Sequence, residues 1–306
     1  MTPYKKLMLS ICLTAMWSPS FLFIKLAVEE LPPFTVVAAR VSIAAMCFIA
    51  VLLFLRRSLP TSGKFWMHSI MMALFSSVCP FCLFCYAEQS IESALAGILN
   101  GCSPMFTALL AQVFVASDRI SVKKAIGISF SFAGLVCLFA PNIANGMSGT
   151  SIGMLAATTA TFCYALSHVY AKLFVTGQKP FIAPAAQLIA SSIILIPIAF
   201  YYDAPWTLPM PSLYAIGGVL GMALLGTFTA FIIYYYLLEH SGPTAISMIA
   251  CFFPAGAMLL GFVFLGERMT IGSLAASGLI LLGLMTVNDV IRIPFLSREE
   301  EATRTA

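Results

Sequence analysis

Trp17-Ser-Pro-Ser-Phe-Leu-Phe-Ile-Lys25 and Tyr164-Ala-Leu-Ser-His-Val-Tyr-Ala-Lys172 align without a gap at an offset of 147 residues, and both lie in runs apolar enough to cross a membrane. The register holds downstream, where Pro33-Phe34 falls on Pro180-Phe181 and Ala38-Ala39-Arg40 on Ala185-Ala186-Gln187. Farther along the offset drifts to 150 for Pro104 and Pro254. It is 149 for Asp118-Arg119 on Glu267-Arg268 and for Gly134 on Gly283. One unit has therefore been duplicated, with small insertions between matching blocks.

Composition places the repeat in lipid. Of the 306 residues 60% are hydrophobic and 9% charged, and the mean hydropathy is +0.98. A soluble globule of this size needs more polar surface. A bilayer core of about 30 Å takes about 20 helical residues, and ten such segments are present: 7–28, 33–55, 66–88, 94–116, 123–141, 151–174, 180–201, 212–238, 244–265 and 270–291. Runs such as Val41 to Leu55 lack the alternation of barrel strands. The expected fold is all-α and integral to the membrane, ten transmembrane helices as two five-helix repeats: 1–146, 147–291, and a cytoplasmic tail at 292–306.

An odd number of spans per repeat inverts the second repeat relative to the first. With the N-terminus inside, thirteen Lys and Arg residues fall in inner segments and Arg268 alone in an outer loop, so the positive-inside rule assigns both termini to the cytoplasm. Lys25 and Arg40 are left within spans. Glu29, Glu30, Glu88, Glu92, Asp203 and Glu267 gather outside. Lys5-Lys6 before an apolar run has the look of a signal peptide, but the run is as long as a span and no small-x-small site follows it; an uncleaved first span is expected.

Enzyme chemistry finds no residues to stand on. Cys79, Cys82 and Cys85 lack a fourth ligand for a metal site, and the nine cysteines form no disulfide framework. Gly149-Thr-Ser-Ile-Gly153 has the spacing of a nucleophile elbow but sits between two helices. No phosphate loop, dinucleotide fingerprint or zinc-protease motif occurs, so neither cofactor nor metal nor nucleic acid is expected.

Arg40 is the most informative charge. It lies about 10 Å below the start of the second span, where a lipid-facing Arg costs on the order of 3 kcal/mol. It must face a polar interior, either holding the bundle together or lining a solute path. Its repeat mate is neutral Gln187, so the shared fold does not demand the charge. Lys25 can reach the interface by snorkelling. Tyr164 and His168 share a face of span 6, opposite Trp17 and Phe21 in span 1; an intramembrane His serves proton relay, solute binding or packing. Asn100 and Ser103 precede Pro104, and Ser247 and Ala250 precede Pro254. Both prolines are expected to kink their spans, either as packing features or as cavity-lining breaks. Tyr234-Tyr235-Tyr236 spread over about 200° of helix and are expected at the membrane interface. Glu88 and Glu92 are expected as exposed rim charges, with a proton-accessible mouth as the other reading. Gly97/Gly101 and Gly217/Gly221 have the spacing of close helix contacts.

Trp17-Ser-Pro-Ser with Lys25, Pro33-Phe34, Ala39-Arg40, Ser103-Pro104, and Leu265-Gly266-Glu267-Arg268-Met269 followed by Gly278 and Gly283 resemble the EamA-type family of the drug/metabolite transporter superfamily. The resemblance covers residues 7 to 290. It implies two inverted five-helix units that move small organic solutes, most often outward, across bacterial inner membranes. It also implies a central cavity between the units drawing on spans 1, 3, 4, 6, 8 and 9. On that basis Trp17, Ser20, Asn100, Tyr164 and His168 become cavity residues, with Arg40 adjacent. The chain departs from the pattern at Ser117-Asp118-Arg119, where Gly-Glu-Arg is expected, and at Ser18-Pro19.

The expected function is secondary transport by alternating access, without ATPase motifs, of an amino acid or related amphipathic metabolite carrying a carboxylate, with efflux as the direction. Solute, lipid bilayer and a proton gradient coupled through His168 or Glu88 are the expected partners, and a homodimer is a further option. Uptake of a nucleoside-like or cofactor metabolite such as S-adenosylmethionine is the alternative. A membrane interaction protein with no solute is the alternative of another class.

Overall fold

The computed structural model describes residues 3–115, 121–144, 149–175, 181–237, 240, 253–268 and 270–287. Among them the secondary structure is helical throughout, without strands. Eight helical segments are long and apolar enough to cross a bilayer: Leu7–Val28, Pro33–Phe54, Gly63–Ala87, Ser93–Phe114, Val122–Pro141, Gly149–Phe174, Ile182–Tyr202 and Leu213–Leu237. Two shorter apolar helices, Phe253–Leu265 and Ile271–Val287, take the ninth and tenth places. Ser247, Ala250, Asp118 and Arg119 lie outside the described residues.

Several spans are built from more than one helix. Span 1 consists of α1 (Pro3–Trp17) and α2 (Pro19–Val28), with Pro19 opening the second piece. Span 2 is α3 (Pro33–Phe54). Span 3 runs from α4 (Gly63–Ala73) through a π-helical turn at Leu74–Val78 into α5 (Cys79–Ala87). Span 4 breaks at Cys102 between α6 (Ser93–Gly101) and α7 (Ser103–Phe114), and Pro104 stands in the first turn of α7. Spans 5, 6 and 7 are α8 (Val122–Ala144), α9 (Gly149–Phe174) and α10 (Ile182–Tyr202). Span 8 repeats the plan of span 3: α11 (Leu213–Ala223), a π-helical turn at Leu224–Thr229, and α12, residues 230–237. Spans 9 and 10 are α13 (Phe253–Leu265), with Pro254 at its start, and α14 (Ile271–Val287).

The packing keeps the repeat. Span 1 lies against span 8 as span 6 lies against span 3, and span 4 meets span 6 as span 9 meets span 1. Spans 2 and 7, 4 and 9, and 5 and 10 pack on their own repeat mates. Exchanging each span for the one five places away turns these contacts into one another, as a pseudo-two-fold axis requires. Spans 4 and 9 cross closely. A side-chain carbon added at Gly97 would collide with Ala257, and one at Gly101 would sit 2.6 Å from the Pro254 ring. The Gly97/Gly101 spacing therefore serves a helix crossing beside the two prolines.

The core corrects one expectation. Tyr234 and Tyr235 do not belong to an interfacial belt: they are 8% and 4% exposed. Span 8 turns that side toward span 1, where Tyr234 packs on Trp17 at 5.7 Å, so tertiary packing overrides the end-of-span position. Tyr236 alone meets the surface, accepting a hydrogen bond from Lys5 Nζ at 2.8 Å.

Candidate functional site

The two π-helical turns organise the interior. Such turns widen the helix by one residue and recur at functional sites. In span 8 the Gly226 carbonyl accepts from Trp17 Nε1 at 3.0 Å, and the buried Thr227 hydroxyl accepts from Arg40 Nε at 2.8 Å. Gly226 has no side chain, and a carbon added there would lie 2.6 Å from Ser20 Oγ and 3.9 Å from Arg40 Nη2. One glycine thus makes the space on which Trp17, Ser20 and Arg40 converge.

Arg40 is 4% exposed. Its guanidinium lies 3.7 Å above the centre of the Phe81 ring, and Nη1 is 3.9 Å from Met222 Sδ. No carboxylate pairs with it among the described residues. A desolvated cation–π contact contributes about 2 kcal/mol and a hydrogen bond to an ion about 1.5–3 kcal/mol, against several kcal/mol for desolvating the ion. The positive charge is held but not neutralised.

Tyr164 joins this cluster through rings. It stacks on Phe84 at 6.1 Å and meets Phe81 edge-on at 6.5 Å. Phe84 in turn meets Phe21 at 5.5 Å, and Phe21 reaches the span 4–span 9 crossing beside Gly97. A second polar group lies on spans 4 and 6. Asn100 Oδ1 and Ser103 Oγ are buried without hydrogen-bond partners, as is Ser20 Oγ in the first group. Thr107 Oγ1 donates to Ser103 O at 2.8 Å and stands 3.5 Å from His168 Nδ1, at the long limit of a hydrogen bond. The structure thus brings Trp17, Ser20 and Arg40 together, links Tyr164 to them through Phe81, and sets Asn100, Ser103 and His168 in a neighbouring group.

Gln187 occupies the place in span 7 that Arg40 has in span 2. It is 1% exposed, donates from Nε2 to Ser77 Oγ at 2.8 Å, and accepts from Tyr235 OH at 2.8 Å. A cavity with room for about one water adjoins it, lined by His68, Ser69, Met72 and Tyr235 among others. His68 Nδ1 is 2.7 Å from Tyr170 OH. Thr227, Phe81, Gly226 and His68 escaped the sequence reading; the offset of 150 that pairs Ser77 with Thr227 was the available signal.

Glu88 is not the rim charge expected. It is fully buried and neither carboxyl oxygen has a hydrogen-bond partner, because α2, α5 and the turn into α6 close over it. Lys25 does not pair with that carboxyl. Its ammonium donates to the backbone carbonyls of Glu88 at 2.7 Å and Ile91 at 3.2 Å, binding the C-terminal end of α5.

On the same face three other acids act as helix caps across the repeat boundary. Glu30, after span 1, accepts from the Ser212 amide at 2.7 Å and from its hydroxyl, at the start of span 8. Asp203, after span 7, accepts from Thr35 N at 2.6 Å and Thr35 Oγ1 at 2.9 Å, at the start of span 2. Glu267 accepts from the amides of Ser93 at 2.7 Å and Ala94 at 2.9 Å, at the start of span 4. A carboxylate fits each position because helix N-termini offer unpaired N–H groups and a positive dipole end. Each cap also ties a residue of one repeat to a helix of the other.

The profile of the EamA-like transporter family matches this chain twice, over residues 5–140 and 151–288. An uncharacterised transporter of Archaeoglobus fulgidus is 26% identical over 271 residues, covering 89% of this chain and 94% of the relative. Transporter YoaV of Bacillus subtilis is 23% identical, covering 91% and 95%. Inner membrane transporter YedA of Escherichia coli K12 is 24% identical, covering 89% and 86%. A solved crystal structure superposes with a TM-score of 0.68 at 19% identity over 95% of this chain and all of the other, a likeness of fold.

Proposed function

The chain belongs to the EamA-like transporter family, and from that premise we propose that it exports a small amphipathic metabolite bearing a carboxylate, such as an amino acid, by alternating access. It is a multi-pass membrane protein; the proposal places it in the bacterial inner membrane with both termini in the cytoplasm, on the charge bias of its loops and the name of one relative.

The observation that carries the reading is Arg40. A buried guanidinium held by one hydroxyl and one ring, with no carboxylate partner among the described residues, is a receptor for an anionic group. Phe81 and Tyr164 supply an aromatic wall, and the unpartnered hydroxyl of Ser20 supplies a polar contact beside it. The three carboxylate caps hold the outer ends of the two repeats together. In alternating access they part when the site opens outward and re-form when it opens inward.

The test compares metabolites in medium and cytosol with and without induced expression, with Arg40→Ala as the inactive control. A carboxylate-bearing compound accumulating in the medium, and lost with Arg40→Ala, supports the proposal. Depletion from the medium with enrichment inside reverses the direction. No reproducible difference in any compound class overturns transport in favour of an interaction protein.

A further inference from the structure

Glu88 has a role that the site around Arg40 does not use. It caps α5 one residue beyond the apolar segment Gly63–Ala87, its side chain is 0% exposed, and both carboxyl oxygens lie buried without a donor. A buried carboxylate needs hydrogen-bond donors or a paired cation, because desolvating the bare ion costs several kcal/mol. Among the described residues Glu88 has no donor and no paired cation, although the Lys25 charge lies close enough to be felt. Lys25, from α2, spends its ammonium on two backbone carbonyls. Glu267, in the turn before α14, faces Glu88 with like charge, and Glu92, at the start of α6, is a second acid within reach of Glu267 and Lys25. From α3, Arg40 gives its guanidinium to the Thr227 hydroxyl and the Phe81 ring rather than to Glu88. The geometry accommodates a neutral acid.

We propose that Glu88 is a proton-binding site reached from the outer side, and that the caps at Glu30, Asp203 and Glu267 close over it only after it has taken up a proton. The inference rests on the transport reading for its purpose, since it makes outer closure draw one proton from outside in each cycle, but not for its test. The step is simple: an O–H bond forms on one Glu88 carboxyl oxygen as an O–H bond of hydronium in the outer water breaks, and when the outer end reopens the proton passes back to a water molecule there. At high external pH the ionised Glu88 cannot be buried and the outer end stays open. At lower pH it closes.

Infrared spectroscopy of the purified full chain, titrated with pH, reads the proton directly. A protonated-carboxyl C=O stretch is expected at neutral pH in the unaltered protein and in Glu88→Asp, and not in Glu88→Gln. Hydrogen exchange of the amides at 88–94 and 203–216, corrected for intrinsic rates, reads closure. It is expected to rise at least several-fold with alkaline pH in the unaltered protein and to stay low in Glu88→Gln, with Glu92→Gln behaving as the unaltered protein. The proposal is overturned if the neutral-pH stretch is absent or survives in Glu88→Gln. It is equally overturned if Glu88→Gln leaves the pH dependence of exchange unchanged. Neither measurement needs a solute, so failure of the metabolite comparison and failure of this proposal remain separate results.

Discussion

Arg40 and Gln187, repeat mates 147 positions apart, each donate a 2.8 Å hydrogen bond to a hydroxyl in the π-helical turn of the opposite repeat, Arg40 to Thr227 and Gln187 to Ser77. Those hydroxyls are themselves mates, at an offset of 150. The bond belongs to the duplicated fold; the charge belongs to one side of it. A side chain in this place need only donate one hydrogen bond to hold spans 2 and 8, or 7 and 3, together.

Arg40→Gln is therefore a sharper probe than truncation. Its amide has at Gln187 a working precedent for the structural bond, so folding stability should change by no more than about 1 kcal/mol, and the variant should elute as the unaltered protein does in size-exclusion chromatography. Export of carboxylate-bearing solutes should fall at least tenfold. Failure of Arg40→Gln to fold would mean that the guanidinium itself, through Phe81, holds the bundle.

Gly226 separates space from bonding in the same site. An added methyl would lie 2.6 Å from Ser20 Oγ, a hydroxyl that can rotate away and has no hydrogen bond to lose. Gly226→Ala should cost under about 1 kcal/mol of stability, within the range of changes that leave packing intact, and Gly226→Val more. Both should weaken solute retention in a binding or export assay, the larger side chain more strongly. Equal transport by all three proteins would show that the solute does not enter the space between Ser20 and Arg40.

The spans were legible because twenty apolar residues in a row have few alternatives in this composition, and the duplication was legible because Trp17 to Lys25 reads directly onto Tyr164 to Lys172. The π-helical turns were not. Leu74-Phe-Ser-Ser-Val78 carries neither Pro nor Gly, and the partner its Ser77 hydroxyl meets, Gln187, comes from the other repeat. Glu88 was misread for a related reason. Hydropathy locates the end of a span to within about a turn, whereas burial is set by what packs there, in this case Lys25 and the start of α6. The acids at the span ends were legible as charges outside the apolar runs, but their work as caps depends on the facing residues Ser212, Thr35 and Ser93, which no local pattern pairs with them.

The crossing of spans 4 and 9 predicts a contrast between its two glycines and Gly217. A methyl at Gly97 meets Ala257 and one at Gly101 meets the rigid Pro254 ring, neither of which can rotate away, whereas a methyl at Gly217 meets nothing within 4 Å. Overpacking of this kind costs about 1–3 kcal/mol. Gly97→Ala and Gly101→Ala should each lower the thermal midpoint in detergent and Gly217→Ala should not. An unchanged midpoint for Gly97→Ala would mean that the two spans are free to separate there.

Glu30 supplies a pH dependence of opposite sign to that of Glu88. Hydrogen bonds from the Ser212 hydroxyl and amide hold its carboxyl below the usual carboxylate range, despite a small opposing effect of desolvation. A group whose value is lowered in the folded state contributes stability above its unfolded value, near 4.3 for Glu. That contribution is lost only as pH falls through the lowered folded value. The Glu30 carboxyl should therefore stay ionised across about pH 5 to 8, so any parting of its tie to span 8 in that range follows from Glu88 and not from Glu30. In a Glu88→Gln background, where the outer end stays closed, Glu30→Gln should speed exchange of the amides at 212–216 by the same factor at every pH in that range. A factor that grows with pH would assign the pH sensing to Glu30 and remove it from Glu88.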